Sequence, residues 1–523
     1  MHSLVKPVFL DLPQEILLKI AVFLDPVSLV RYALACKKLH DMYQDLLKLR
    51  YDIELHINGM VDKEDSKTPM AQRLSRLYDL RLGWKDLNWK NMKEVDLGTY
   101  FMPNHPPEFA AGVVAISSED SLKVIWLPSA EGNGRMVEHH SRSAHIPIGD
   151  FTIDPTQDLL VLLNDHIRND TARVHLRTLS TNEDHPLALH PILTYKTYED
   201  VFADQRGRRR HVKIRIVNDI LALFIDDFWS RLLIWNWRNG VIIYDSKLEL
   251  DITIKNFTLV DHESFLLTAN SDIGGALLLY TFDSTSLSGV TPVLVARFGL
   301  PPIRSSFRVK VSIEAAPLHA KSPDDALFST SPTSRIYVVS ISYIREEEQD
   351  YRKVHSSYEL FVHHRTFKKY LDGYTIRDKE RSTEADPKLP PLEVAWANWG
   401  EAETRILSCH PVPWSRHMHG TRVVHVKNGC SIDVLDFNME RTAYFGCKSE
   451  ANARVCTSPS IVTDDVFLSE VVTKLPYGLS SMDFGQPYHI YMVDNERLIA
   501  VDGFLQTVTQ VNYFIKSLDV HLF

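Results

Sequence analysis

The sequence predicts a small all-helical unit followed by a large all-β domain, read as a degenerate β-propeller. Three observations carry that expectation. Over the first fifty residues, apolar side chains recur at three- and four-residue spacing. Beyond about residue 105 the pattern changes to short β-like runs about ten residues apart, punctuated by Asp, Asn and Gly. The chain has 523 residues, of which 44% are hydrophobic and 24% charged, so it can bury a sizeable core without staples.

Composition narrows the function classes. Lys and Arg total 58 against 67 Asp and Glu, giving −9 at pH 7, so a general nucleic-acid coat is not expected. Five cysteines make an odd and sparse set, unlike a disulfide scaffold. No window approaches 18 consecutive apolar residues, so no membrane span is expected. The start, MHSLVKPVFLDLP, lacks the apolar run of a secretory signal, which makes the cytosol or nucleus the expected location.

The helical unit is read from Phe9 to Tyr51. Pro13 suits a first helical turn and Glu15 complements its positive end. Ile16, Leu17, Ile20, Ala21 and Leu24 form an apolar face. Asp25-Pro26 restarts the chain as an N-cap and a first helical residue. Leu29, Tyr32, Ala33 and Cys36 give the second helix its apolar face; Leu39, Met42, Tyr43, Leu46 and Leu47 suggest a third, beginning near Cys36. Three short helices alone would be marginal and need a partner, or the rest of the chain, to cover them.

Residues 52–104 are read as a connector. Val61–Gln72 is polar and loop-like, and Arg73–Met92 has helical spacing, with Trp84 and Trp89 as packing anchors. The β-rich domain is assigned to residues 105–523. Its clearest strands are Val212–Ile216, Ile220–Ile225, Leu232–Trp237 and Val241–Tyr244. A weaker run is Ala443–Phe445. Such spacing fits a sandwich or a propeller. The propeller is favoured by LLIWNWRNGVII, Leu232–Ile243, where Asn239-Gly240 suits a tight turn between two strands. This segment looks like the third-to-fourth strand hairpin of a WD-repeat blade, and Leu277–Val293 and Thr171–Leu187 match it in part.

No catalytic fingerprint is present. GxxxxGK[ST], HExxH, GxGxxG and GxSxG are all absent. His417 and His419 alternate near Cys409 but lack a fourth ligand at close spacing, so neither metal nor cofactor is expected. The basic run Arg206–Lys213 reads as a solvated loop, and Glu346–Asp350 as an exposed acidic turn.

The order Leu12-Pro13-x-Glu15-Ile16-Leu17, then Ile20, Leu24, Asp25-Pro26, Ser28-Leu29 and Cys36, closely resembles an F-box. The likeness covers residues 9–51, a tenth of the chain. It implies binding to the adaptor subunit of a cullin–RING ubiquitin ligase, through Leu12, Pro13, Ile16, Leu17, Ile20, Leu29 and Cys36. Asp154–Asp165, Ser180–Pro186, Ala395–Leu407 and His419–Val424 resemble stretches of the large fungal, basidiomycete-type F-box families. The resemblance implies a non-catalytic substrate receptor, with the helices holding the adaptor and the β-domain recruiting an unknown protein substrate. The alternative is a propeller scaffold without a ligase role, in which the helices cap the sheets.

Overall fold

The computed structural model describes residues 9–63, 66–103, 106–118, 120–129, 138–164, 171–196, 211–226, 230–246, 254–271, 274–286, 289, 291–318, 326–346, 354–381, 389–408, 415–427, 430–441, 453–488, 490–507 and 511–523. Helices come first: α1 (Gln14–Phe23), α2 (Pro26–Ala35), α3 (Lys37–Asp45), α4 (Leu47–Asn58) and α5 (Met70–Asp86). Two more, α6 (His364–Arg381) and α7 (Trp396–Glu403), are inserted among the strands. No described helix is long and apolar enough to cross a membrane.

The expected third helix is split. Leu46 adopts extended backbone, φ −102° and ψ 103°, which ends α3 and starts α4 on a new axis. The new axis lets Leu49, Ile53 and Ile57, four residues apart, pack on Ala21 and Leu29. Helix α4 therefore runs past the expected boundary at Tyr51. Gly59 ends it at φ +63°, in the left-handed region, and a β-carbon there would strike the Ser334 hydroxyl.

The strands form a seven-bladed propeller. Taken from the inside outward, the first blade is Glu108–Ala110, Val113–Ser118, Ser121–Trp126 and Glu138–Ser143. The second is Ile148–Asp154, Leu159–Asn164, Thr171–Thr178 and Ile192–Lys196. The third is His211–Val217, Ile220–Asp226, Arg231–Asn236 and Val241–Asp245. The fourth is Ile254–Leu259, Ser264–Ser271, Gly274–Thr281 and Val293–Gly299, with Leu392–Val394 added in parallel at its edge. The fifth is Phe307–Ala315, Ile336–Arg345, Ser356–His363 and Thr404–Ser408. The sixth is Met418–His419, Arg422–Val426, Ser431–Asp436, Tyr477–Asp483 and Ala453–Cys456. The seventh is Ile490–Val493, Arg497–Thr507, Val511–Leu522 and Asn91–Pro103.

That last strand closes the ring. Asn91–Pro103, read from sequence as the end of a connector, lies antiparallel to Val511–Leu522, with Asn91 opposite Leu522. Strands that begin 420 residues apart in sequence thus share one sheet, which ties the circle shut. Every neighbouring pair of blades encloses its own apolar cluster, including Phe224 with Phe257 between the third and fourth and Ile116 with Ile499 between the first and seventh. The propeller is imperfectly closed, and the inner strand of the sixth blade is only two residues long.

The three segments that look like WD-type hairpins each join the third strand of a blade to its fourth. Arg231–Asn236 pairs with Val241–Asp245 across a turn in which Gly240 has φ +75°. Gly274–Thr281 pairs with Val293–Gly299, and Thr171–Thr178 with Ile192–Lys196. Ala443–Phe445, Arg206–Arg210, Glu347–Asp350, Cys409 and Cys447 lie outside the described residues.

Candidate protein-binding surface

The helical unit divides the expected contact residues between an inside and an outside. Pro13, Ile16, Ile20 and Phe23 follow one another at spacings of three, four and three, which places them on one stripe of α1. Ile16 is 41% exposed and Phe23 88%, Pro13 is exposed, and Ile20 is partly so. The opposite stripe turns inward. Leu17 packs with Leu39 and Met42 of α3, and Leu10, Leu12 and Cys36 lie partly buried against them. Leu29 of α2 sits with Ala21, Leu49 and Ile53 in a second small core.

Of the seven expected contact residues, Leu17 and Leu29 are therefore interior and tie helix to helix. Leu12, Ile20 and Cys36 are half-buried, and Pro13 and Ile16 are at the surface. Phe23, Val22 and Leu34 are exposed apolar residues of the same unit that sequence reasoning passed over. The signal for Phe23 was available: it continues the 13-16-20 series by one step.

Polar contacts fix the unit's shape. The Ser28 amide donates to the Asp25 carboxylate at 3.0 Å, capping α2. The Tyr32 hydroxyl donates to the Leu17 carbonyl at 3.0 Å, and Lys38 Nζ donates to the Leu10 carbonyl at 2.6 Å, which binds the segment before α1 to α3. Burial raises the Tyr32 hydroxyl pKa above its ordinary value, with Cys36 adding to the shift.

Below this unit, α4 and α5 join it to the sixth and seventh blades. Tyr51, Leu55, Leu74, Leu77, Leu80 and Trp84 form one core with Val434, Tyr491 and Leu498. Trp84 stacks on Phe523 at 4.1 Å between ring centroids, and its Nε1 donates to the Asn495 carbonyl at 2.7 Å. Trp89 stacks on Phe484. Both tryptophans are thus packing anchors. Glu54 of α4 and Arg81 of α5 form a buried ion pair at 2.6 Å. Desolvation still raises the Glu54 carboxyl pKa, against the pull of Arg81. Asn438 donates to the Ile57 carbonyl at 3.0 Å and Arg441 to the Asn58 carbonyl at 3.1 Å, so the sixth blade grips the last turn of α4.

Of the four segments read from sequence as similar to the fungal families, residues 154–164 span the first turn and second strand of the second blade, and Ser180–Pro186 lies between that blade's third and fourth strands. Ala395–Leu407 comprises α7 and most of Thr404–Ser408, and His419–Val424 spans the first hairpin of the sixth blade; Asp165 lies outside the described residues. Asp158 accepts hydrogen bonds from the Ser180 amide and hydroxyl, and the His185 ring bonds the Gln157 carbonyl at 3.0 Å. His185 also meets Trp237 edge-on at 5.0 Å. Trp399 Nε1 donates to the Gly299 carbonyl at 3.0 Å, and Gly400 leaves space for Trp396, whose ring a β-carbon would strike at 2.4 Å. Buried Arg405 donates to the Leu475 and Ser458 carbonyls at 2.6 and 2.7 Å.

Among the described residues, one group has the proximity for a metal: His355, Asp464 and Asp465. Its carboxylates already serve Arg345, Tyr358 and the His355 ring. His419, considered from sequence as a ligand, bonds Thr330 Oγ1 at 2.8 Å and Asn495 Oδ1 at 3.0 Å instead.

The F-box-like family profile matches residues 9–54. No curated protein matches. Among solved structures, the WD40 domain of SCAP from fission yeast is similar at 7% identity, covering 82% of this chain and 98% of that one, with a TM-score of 0.33. BamB from Moraxella catarrhalis is similar at 9% identity over 82% and 99%, with a TM-score of 0.31. Hsv2 from Kluyveromyces lactis is similar at 12% identity over 49% and 73%, with a TM-score of 0.27. The chain thus carries an N-terminal F-box-like domain followed by a seven-bladed propeller. That combination is of a generally non-catalytic type and is consistent with a protein-interaction role.

Proposed function

We propose that this protein is a substrate-receptor subunit of a cullin–RING ubiquitin ligase, working in the cytosol or nucleus. The F-box-like helices hold the adaptor, and the propeller recruits a protein substrate. The reading is supported above all by the stripe Pro13, Ile16 and Phe23, with half-buried Ile20 between them, which stays outside while Leu17 and Ala21 face inward. Apolar anchors on a rigid helix are suited to a protein partner, where a few such residues carry most of the binding energy. The contribution of the chain is positional: it raises the local concentration of a substrate lysine near the conjugating enzyme. Kinship with the fungal F-box families is part of this reading and rests on the resemblance of those four segments.

A scaffold without a ligase role is the second reading. It is favoured by the docking of α4 and α5 onto the sixth and seventh blades, as a cap would dock. Co-purification separates the two. Replacing Ile16 and Phe23 together by Asp should abolish capture of the adaptor while circular dichroism is unchanged. Undiminished capture by that folded variant would defeat the ligase reading.

A further inference from the structure

A cavity of about 60 Å³ lies on the sixth blade beneath α5. Trp84, Val434 and Leu479 supply apolar walls, and Arg422, Arg441 and Arg454 line it as well. Arg422 is only 5% exposed. Its guanidinium lies over the Trp84 ring, 4.7 Å from the centroid. Its closest carboxylate is Asp436, at 3.6 Å, beyond hydrogen-bond length. Its Nε is buried without a hydrogen-bond partner, and its guanidinium makes no hydrogen bond among the described residues.

The surrounding charges relieve it only in part. Asp436 is engaged by Arg441, by Thr421 Oγ1 at 2.9 Å and by the Asn438 amide at 3.0 Å. Arg441 spends its other nitrogen on the Asn58 carbonyl. Arg81, also on the wall, is paired with Glu54. Lys85 adds another cation, and Arg454 is exposed and forms no ion pair among the described residues. Desolvation and the neighbouring Arg441 hold the Arg422 pKa down at about 9, with Asp436 pulling the other way. A buried guanidinium with no protein hydrogen-bond acceptor is well placed to donate to an anion.

We propose that this cavity binds an oxyanion of phosphate size, with Arg422 as the buried donor and Arg454 as the exposed one. The space suits four or five water-sized groups, roughly the five heavy atoms of phosphate. The site lies away from the exposed stripe of α1 and stands independently of the ligase reading.

The test is thermal unfolding of the full chain in inorganic phosphate, and separately in O-phosphoserine, against chloride at equal ionic strength. Saturable stabilisation of about 2 °C is expected for the wild type with phosphate. Phosphoserine at least as effective as phosphate would assign the site to phosphate esters; phosphate alone would assign it to the free ion. Arg422→Met should lose the shift, yet melt no lower than the wild type in chloride, because it removes a buried cation that has no protein hydrogen-bond acceptor. The surface change Arg454→Ala leaves the core intact and should weaken the shift at least threefold in concentration. Wild-type protein showing no excess over chloride with either anion, or Arg422→Met or Arg454→Ala retaining the full shift, would overturn the site. Adaptor capture should be the same in all three proteins.

Discussion

The helices before Leu46 and the propeller solve the same problem of burial in opposite ways. Each blade packs against its neighbours across an apolar cluster. Helices α1 to α3 share two small cores of their own, built on Leu17 with Leu39 and on Ala21 with Leu29. They leave Ile16, Val22, Phe23 and Leu34 in solvent. Helix α4 belongs to both regions: Leu49 and Ile53 face the helices, and Tyr51 and Leu55 face the blades. The difference teaches where binding capacity sits. The propeller buries most of its apolar side chains between blades and leaves single ones such as Leu189, Ile461 and Leu468 exposed at loops and edges, whereas the helical unit exposes Ile16, Val22, Phe23 and Leu34 within one short segment.

Acid should act on the propeller side of this contrast, with the largest effect. Burial lowers His175, His363, His364 and His521 from 6.5 to about 4, and all four belong to strands or to the start of α6. Between pH 6.5 and 4 the unfolded chain takes up protons that the folded state refuses, so stability is full above the ordinary histidine pKa and falls through this window. Asp150, raised to about 7 by burial, opposes the trend over the same range, but it is one group against four. The net loss should be on the order of several kcal/mol. Urea unfolding at pH 7 and pH 4.5 checks it; equal midpoints would show that these histidines are not held neutral.

Breaking the joint between the regions comes next. Arg81→Ala leaves Glu54 buried without its partner and should cost about 3–5 kcal/mol in denaturant unfolding. Replacing both members by apolar residues of similar volume should restore most of that loss. A small effect of the single change would mean that water reaches α4 from the side.

The sharpest pair lies within α1. Leu17→Ala should cost about 2–4 kcal/mol, and that loss should appear as a separate early transition of the helices, with the propeller unfolding unchanged. Amide hydrogen exchange would locate it. Phe23→Ser, six residues on, should change stability by no more than about 0.5 kcal/mol, because the side chain is 88% exposed. Equal losses from the two would erase the distinction between the inner and outer stripes of α1.

The fold class was legible because both periodicities are local. The three-four spacing of Ile16, Leu17, Ile20 and Ala21 and the tight Asn239-Gly240 turn need no knowledge of distant residues. The break at Leu46 was hidden because leucine favours a helix, and only the crossing of α4 over Ala21 and Leu29 makes an extended residue worthwhile there. The strand Asn91–Pro103 was hidden for a related reason: its hydrogen-bond partner is Val511–Leu522, at the far end of the chain.

Local pattern by itself determined that helices precede strands and that an F-box-like order occupies the first fifty residues. Tertiary structure decided that the blades number seven, that Leu17 and Leu29 are interior while Ile16 and Phe23 are not, and that Arg422 comes to rest against Trp84. Periodicity identifies which residues can share a face; only the packing of neighbours decides which face is covered.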